Sequence, residues 1–306
     1  MQVILGSGGV IGNGLAKNLP RYTDRIRLVS RHPSAINKND DLVTADLTDY
    51  AQTEKAIENA EVAYLVLGMQ YKLEVWQRDW PKVMTNTINA CKKFNTKLVF
   101  FDNVYSYGKV DGWMTENTPL NPSSKKGEVR AKIAEQLINE YKNGNIKGMI
   151  VRSADFNGPT QFTFLYPLVY DKIRNGKKAQ WFLNARVKHS LTYSADAAKA
   201  TALLGNTPDA YNRTWHSPSD KNALTGEEFI RTVEEMYNKN SGYIVLKKWM
   251  LQLTGLFVPI IREMIEMLYQ YESDYLFDGS DFENRFFKAT PVKKSIEETI
   301  NDLNRK

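Results

Sequence analysis

The sequence predicts an α/β protein built on a doubly wound parallel sheet. Through the first half of the chain, short apolar runs of strand length alternate with amphipathic runs of helical spacing. Strands that alternate with helices form right-handed crossovers, which give a parallel sheet covered on both faces. With 306 residues and 42% hydrophobic content, the chain is long enough for one large α/β domain or for a domain with a smaller lobe.

The predicted elements follow one another in a regular order. Five segments have the composition and length of buried strands: QVIL, RIRLVS, VAYLVLG, KLVFFDN and KGMIVRSA. Four segments between them have helical spacing, at residues 12–19, 53–59, 80–93 and 128–142. In such a sheet the carboxyl ends of the strands face a ligand crevice, so we expect functional residues just after the strands.

The stretch GSGGVIGNGL directly follows the first strand. Gly6 is predicted to permit a tight turn, Gly9 to let the backbone approach a phosphate, and Gly12 to pack the next helix closely on the strand. The helix start would direct N–H groups and the positive end of its dipole at a pyrophosphate. An ordinary tight turn would show the same glycines, so the pattern indicates dinucleotide binding only together with other features.

Composition and charge narrow the classes of partner. The net charge is +6, but the basic residues form scattered pairs rather than a stripe, so we expect no nucleic-acid binding and favour an anionic small molecule. The single cysteine, Cys91, excludes an internal disulfide framework and favours a cytoplasmic location. The three histidines are far apart and lack metal-ligand spacing, so no metal is expected.

No signal peptide, anchor or other membrane association is expected from the sequence. The chain opens with a strand rather than with a charged segment followed by a long apolar one. The most apolar late stretch, WMLQLTGLFVPII at 249–261, is too short to span a bilayer and contains Gln252, Gly255 and Pro259. It is predicted to be core or a subunit contact.

Four further motifs follow the glycine turn at characteristic distances. They are TADLTD at 44–49, LVFFDNVYSYG at 98–108, VRSADFNGP at 151–159 and HSLTYSADAAKA at 189–200. With the GxxGxxG turn, they resemble the extended branch of the short-chain dehydrogenase/reductase superfamily, the NAD-dependent epimerase/dehydratase family. The resemblance implies a Rossmann domain over residues 1–155 and a smaller substrate lobe over 156–306, with 187–205 returning to the Rossmann core. It also implies a homodimer formed through the helices at 80–93 and 128–142.

The resemblance further implies which residues hold the cofactor. Arg31 stands where an NAD-preferring protein usually carries an acid, and an arginine there can bind a 2′-phosphate, so NADP is favoured over NAD. A solvated loop cation is the alternative interpretation of Arg31. The positions that match cofactor-binding segments of the family are Gly6, Gly9, Val10, Ile11, Gly12, Ser30, Arg31, Asp46, Leu47, Leu67, Gly68, Ser153 and Ala154.

The catalytic residues of the family are altered in this chain. The family uses a Ser or Thr together with the Tyr and Lys of a YxxxK motif, whose lysine lowers the tyrosine pKa and orients the nicotinamide ribose. Counting back from the Tyr-Gly pair at 107–108 places Asn103 at the Ser or Thr position. Aligning AEQLI with the segment after the motif places Gly127 at the Tyr position and Ala131 at the Lys position.

Several residues are candidates to replace the lost groups. Asn103 can donate a hydrogen bond to a carbonyl oxygen. Tyr71, Tyr105 and Tyr107 follow strands whose carboxyl ends face the crevice. If the fifth strand continued past Asn103, Asn103, Tyr105 and Tyr107 would share one side of it, although the family has a loop here.

The fourth predicted helix begins with two cations that are four residues apart. Lys126 and Arg130 could share a face and bind a phosphate or a substrate carboxylate, and a desolvated Lys126 could act as an acid. A solvated basic helix start is an equally good interpretation. Asp155, in the VRSADFNGP segment, joins Arg130 as a candidate substrate-binding residue.

Two functions remain open from the sequence. One is an epimerase, dehydratase or reductase that uses NAD(P) on a sugar nucleotide or another carbonyl or hydroxyl compound, with a replacement acid. The aromatic-rich segments PTQFTFLYPLVYDKI and MLYQYESDYLFDGSDF favour it if they shape a ligand pocket rather than a core. The other is a non-catalytic NADP(H)-binding sensor or regulatory protein.

Overall fold

The computed structural model describes residues 1–160 and 163–305 and divides into two compact units. Gln161 and Phe162, which belong to one predicted aromatic-rich segment, lie outside the described residues. The first unit comprises Met1–Ser106, Lys125–Ser153 and Ala195–Ser217, and the second comprises Tyr107–Ser124, Ala154–Ser194 and Pro218–Lys306.

Strands and helices alternate along most of the chain. The strands within the described residues are β1 (Gln2–Leu5), β2 (Ile26–Ser30), β3 (Asp41–Thr44), β4 (Val62–Leu65), β5 (Lys97–Asn103), β6 (Trp113–Met114), β7 (Gly148–Ser153), β8 (Asp155–Asn157), β9 (Ala179–Phe182), β10 (Leu191–Tyr193), β11 (Thr214–His216), β12 (Tyr243–Leu246) and β13 (Leu276–Phe277). The α-helices are α1 (Val10–Asn18), α2 (Tyr50–Ile57), α3 (Leu73–Phe94), α4 (Lys125–Lys142), α5 (Asp171–Arg174), α6 (Ser194–Gly205), α7 (Gly226–Tyr237), α8 (Lys248–Gly255), α9 (Pro259–Met264), α10 (Ser280–Arg285) and α11 (Val292–Leu303). None of these helices combines the length and apolar character needed to cross a bilayer.

The first unit contains a seven-stranded sheet in the order β11-β7-β5-β4-β1-β2-β3. Every neighbouring pair in it is parallel. Strands β1, β4 and β7 are buried along their whole length, which is why they read as continuous apolar runs in the sequence. The chain reverses its direction of travel across the sheet between β3 and β4, so β1 and β4 flank the switch point where such sheets bind ligands. The doubly wound Rossmann fold expected from the sequence is confirmed.

Helix α3 begins seven residues earlier than the sequence predicts. Helical spacing predicts a start at residue 80, but the helix starts at Leu73, and Pro81 lies inside it. Trp76, Trp80, Val83 and Met84 are buried and show the i, i+4, i+7, i+8 spacing of one apolar face. Burial of that face outweighs the hydrogen bond that Pro81 cannot donate.

The unit boundaries also differ from the predicted division at residue 155. Residues 107–124 belong to the second unit because β6 pairs with β13. The segment expected to return to the Rossmann core at 187 does so only from Ala195, because β10 still pairs with β8. Both pairings join strands far apart in sequence, which local patterns do not reveal.

Candidate functional site

The glycine turn after β1 contains two positions that only glycine fits. Gly6 has a φ of +102°, and a Cβ atom there would lie 2.5 Å from the Cα of Leu67. A Cβ on Gly12 would lie 2.9 Å from the carbonyl oxygen of Gly6. Gly6 therefore lets the turn pass beside the end of β4, and Gly12 lets the first turn of α1 pack against the turn.

Gly9 is different, because nothing in the fold requires a glycine there. It is the N-cap of α1 with a φ of −79°, and a Cβ on it would meet only the Gly6 carbonyl oxygen, at 3.8 Å. No side chain caps α1 at this end, so the N–H groups of its first turn remain available to a ligand. Among the described residues, the buried hydroxyl oxygen of Ser7 also has no hydrogen-bond partner.

A cavity of about 590 Å³ opens at the carboxyl ends of β1 to β4. Its volume falls within the usual range for a small-molecule or cofactor site, about 300–1,000 Å³. Eight of the predicted cofactor-binding residues line it: Gly6, Gly9, Ser30, Arg31, Asp46, Leu47, Leu67 and Gly68.

The remaining predicted cofactor-binding residues lie outside the cavity wall. Val10, Ile11 and Gly12 form the first turn of α1, and Ser153 ends β7. Ala154 belongs to the second unit. A cofactor role for these five residues stays a prediction.

Three cations contribute to the lining of the cavity. Arg31 is exposed at the end of β2, and α3 adds Arg78 and Lys82. Arg78 donates to the Asp79 carboxylate at 2.7 Å, and this hydrogen bond holds the pKa of Asp79 below its usual value. Neither Arg78 nor Lys82 is predicted as a site residue from the sequence, because Arg78 precedes the predicted helix start at residue 80 and Lys82 alone shows no pairing. Their i, i+4 spacing is the signal that a correct helix start would have revealed.

Asp46 adds a carboxylate to the lining of the cavity. Its Oδ1 accepts hydrogen bonds from the backbone N–H and the hydroxyl of Thr48, at 2.9 and 2.8 Å. These bonds fix the carboxylate and leave Oδ2 as an acceptor on a residue that lines the cavity. The geometry suits a donor such as an exocyclic amine or a ribose hydroxyl.

The end of β5 positions Asn103, and the strand stops there. The following residues, Tyr105–Tyr107, form a 3₁₀ turn, so the alternation that would place Asn103, Tyr105 and Tyr107 on one side is wrong. The side-chain oxygen of Asn103 accepts from the Tyr105 backbone N–H at 3.0 Å, which leaves the amide N–H groups as donors. Tyr107 is 1% exposed and belongs to the second unit.

The other candidates for proton transfer meet around Trp76. The Tyr71 ring contacts the edge of Trp76 with centroids 5.6 Å apart, and the Tyr105 ring stacks on Trp76 at 6.2 Å. The ammonium of Lys126 lies 4.9 Å from the centroid of the Tyr71 ring. Lys126 is only 1% exposed, so the interpretation of the α4 start as a solvated basic face is wrong. Tyr71 also directly follows cavity-lining Gln70.

Arg130 lies on the same buried face of α4 but has a different environment. Its Nε donates to the Asp102 carboxylate at 2.7 Å, and Arg152 donates to the other oxygen at 3.1 Å. The Arg130 guanidinium also lies 4.3 Å from the centroid of Trp80. The side chains of these three charged residues are at most 5% exposed. This geometry favours a structural role for Arg130, whereas the predicted substrate contact gains no support.

Asp155 occupies a buried polar cluster within the second unit. Its Oδ2 lies 3.0 Å from Nε2 of His189 and accepts from the Tyr271 hydroxyl at 3.2 Å. The His189 ring is stacked between Tyr271 and Tyr275, with centroids 4.7 and 4.4 Å apart. A substrate contact by Asp155 stays a prediction.

The family of this chain follows from a comparison with known protein families. The model of the NAD dependent epimerase/dehydratase family matches residues 2–215. The chain belongs to this family. The family assignment agrees with the resemblance seen in the motifs, and that expectation is confirmed. Comparison with curated proteins gives no match.

Solved structures of epimerases and dehydratases share the fold over nearly the full length of both chains. A dTDP-glucose 4,6-dehydratase double mutant from Streptomyces venezuelae, with NAD bound, is 13% identical, with 99% of this chain and 97% of that chain covered and a TM-score of 0.80. The UDP-glucose 4-epimerase of Thermotoga maritima with UDP-glucose is 15% identical, with 100% and 99% covered and a TM-score of 0.79. The UDP-glucuronic acid 4-epimerase of Bacillus cereus with NAD is also 15% identical, with 100% of this chain and 99% of that chain covered and a TM-score of 0.79.

Proposed function

We propose that this epimerase/dehydratase family member binds NADP in preference to NAD and uses it on a sugar nucleotide or another carbonyl or hydroxyl compound. The observation that carries the proposal is the cavity at the switch point of the sheet, bounded by the glycine turn, Arg31 and Asp46. The sugar-nucleotide class is supported by the enzymes that share the fold, whose structures hold UDP-glucose or UDP-glucuronic acid. We further propose a homodimer formed through α3 and α4, as the resemblance implies.

The residues present fit a dinucleotide. Gly9 carries no side chain over the uncapped N-terminus of α1, so N–H groups there and the Ser7 hydroxyl can bind the pyrophosphate. Arg31 would bind the 2′-phosphate, and Asp46 would accept hydrogen bonds from the adenosine. The dinucleotide, when bound, supplies reversible hydride transfer.

We propose that Tyr71 and Lys126 replace the tyrosine and lysine of the family motif. The family positions carry Gly127 and Ala131, which are both buried on α4 and offer no proton. A cation held beside a phenol favours loss of the phenolic proton, so Lys126 can serve Tyr71 as the motif lysine serves its tyrosine. In substrate oxidation, Tyr71 would take the hydroxyl proton while the amide of Asn103 hydrogen-bonds the forming carbonyl oxygen.

Replacing Arg31 with Ala is expected to weaken NADP binding by about 1.5–3 kcal/mol, the value of a hydrogen bond to a charged group. NAD lacks the 2′-phosphate, so its affinity should stay nearly constant. Isothermal titration calorimetry with both cofactors measures the difference. Lys17→Ala, which removes a cation from the last turn of α1, is the matched control. Equal losses for both cofactors, or none for either, would remove Arg31 from the site.

Replacing Tyr71 with Phe is expected to lower kcat about 10²- to 10⁴-fold, because it removes the hydroxyl that transfers the proton but keeps the ring beside Lys126 and Trp76. The readout is turnover of UDP-glucose, dTDP-glucose or UDP-glucuronic acid with NADP(H), together with cofactor affinity, which should not change. Tyr105→Phe is the control, because Tyr105 stacks on the same indole. If Tyr105→Phe rather than Tyr71→Phe stops turnover, the assignment of Tyr71 as the residue that transfers the proton is wrong.

A second candidate function is a non-catalytic NADP(H) sensor or regulatory protein. The residues that favour it are Gly127 and Ala131, because they leave α4 without the motif's phenol and ammonium. The two functions differ in one measurement. A sensor binds NADP(H) in the cavity but forms no product from any sugar nucleotide tested, whereas the enzyme converts at least one of them.

A further inference from the structure

The segment from α8 to α9 carries an unusual number of exposed apolar side chains. From the sequence it is predicted to be core or a subunit contact, but only Leu251 and Gly255 of α8 are buried. The backbone of α9 approaches Gly255 so closely that a Cβ there would lie 3.2 Å from Arg262. The six exposed side chains, called here the apolar tip, are Trp249 (58%), Leu253 (55%), Leu256 (70%), Phe257 (85%), Val258 (38%) and Ile260 (47%).

The apolar tip holds more exposed apolar side chains than scattered surface residues would give. Single exposed apolar residues are common on soluble proteins, but six within twelve consecutive residues form a continuous stretch of chain. The two most exposed, Leu256 and Phe257, lie in the turn between the two helices. Large side chains at a turn can insert into an apolar environment outside the protein without any rearrangement of the two helices that flank the turn.

The charges around the apolar tip identify the kind of partner. Lys247 and Lys248 precede it, Arg262 follows it, and all three are exposed. No acidic residue occurs from 247 to 262, and Glu263 is the one acid in the segment from α8 to α9. Lys248 lies 3.8 Å from the carboxylate of Glu272, which is a weak surface contact. A cationic border around an apolar surface is complementary to anionic headgroups above acyl chains.

We propose that the apolar tip docks the protein on the surface of an anionic lipid bilayer. The turn with Leu256 and Phe257 would enter the boundary between headgroups and acyl chains, and the indole of Trp249 would lie at headgroup level. The cations at 247, 248 and 262 would contact the lipid phosphates. This inference departs from the expectation that the protein has no membrane association, and it does not depend on the proposed catalytic function.

A second copy of the chain is a poorer occupant of this surface. The centres of subunit interfaces are depleted in lysine, whereas Lys247 and Lys248 directly adjoin Trp249. Two facing copies would also bring together three cations from each, against a single acid per copy in the same segment, Glu263. An anionic bilayer offers both an apolar phase for the exposed side chains and negative charge for the three cations, and a second copy of the chain does not offer that charge.

Vesicle co-sedimentation of the full chain tests the proposal. We expect binding to phosphatidylcholine vesicles that contain phosphatidylglycerol and weaker binding to vesicles of phosphatidylcholine alone. Leu256→Ser with Phe257→Ser should lower the partition coefficient about 100-fold, since each large apolar side chain contributes about tenfold. Lys247→Ala with Arg262→Ala should weaken binding about fivefold per charge, on the anionic vesicles only.

The matched control is Tyr22→Ser with Leu42→Ser, because these two residues of the first unit are 39% and 44% exposed. It should bind vesicles like the unmodified chain, and circular dichroism should show all variants folded. Absence of binding to anionic vesicles overturns the proposal, as does an equal loss in the control. Analytical ultracentrifugation tests the alternative, in which a second copy of the chain covers the apolar tip. A dimer that becomes monomeric in Leu256→Ser with Phe257→Ser and does not bind vesicles would assign the apolar tip to a second copy.

Discussion

Gly9→Asp is expected to lower NADP(H) affinity at least about 100-fold without unfolding the protein. The introduced carboxylate would occupy the space above the N-terminus of α1. It would accept hydrogen bonds from the backbone N–H groups that the pyrophosphate would otherwise bind. Losing two hydrogen bonds to a charged group, at about 1.5–3 kcal/mol each, accounts for this factor before charge repulsion is added. Calorimetric titration with NADPH measures it.

The fold should tolerate this substitution because of the geometry at Gly9. The φ of −79° is accessible to any residue, and the space for a Cβ is open. Asp is also a favourable N-cap residue, so the thermal midpoint should stay constant or rise slightly. Gly9→Asn adds a side chain of the same shape without the charge, and its loss of affinity should be smaller. Unchanged NADPH affinity in Gly9→Asp would show that the dinucleotide site is elsewhere.

Asp102→Ala is expected to lower the free energy of unfolding by about 3–5 kcal/mol, because it leaves two buried guanidinium groups without their shared carboxylate. The side chains of Asp102, Arg130 and Arg152 are 0%, 5% and 2% exposed. The aromatic rings around Arg130 cannot replace the lost negative charge. Urea denaturation followed by circular dichroism measures the change.

Asp41→Ala provides a matched control for this experiment. Asp41 also accepts a hydrogen bond from an arginine, Arg27 at 2.7 Å, but its side chain is 44% exposed. Water and salt screen such a pair, so the expected loss is below about 1 kcal/mol. Equal losses in the two variants would contradict the view that burial makes the Asp102 network important. If Asp102→Ala does not fold, Asp102→Asn keeps the shape and one acceptor and should show a smaller loss in the same direction.

The sequence predicts the parts of this fold that depend on local pattern. The runs that form β1, β4 and β7 are apolar throughout because both faces of those strands are buried. The glycine turn is predictable for a similar reason, since close backbone approach limits the residue type at Gly6 and Gly12. Cofactor-binding positions near these elements therefore follow from the sequence as expectations.

The parts that depend on distant contacts could not be predicted in the same way. Burial of Lys126 depends on Tyr71, which is on another element, and the fate of Arg130 depends on Asp102 at the end of β5. Two cations at the start of a helix look the same in a sequence whether they face water or an aromatic ring. The exposure of the apolar tip is equally invisible, because its composition suits a core.

Each of the two units consists of three chain segments, and the segments of the two units alternate along the sequence. Neither unit is encoded by one continuous stretch of the gene. A fragment that ends near residue 155 would lack β11 and α6, so β7 would become an unpaired edge and a face of the first unit would lose its covering helix. Autonomous half-proteins are therefore not available by simple truncation, and studies of either unit require the intact chain or a permuted one with new termini.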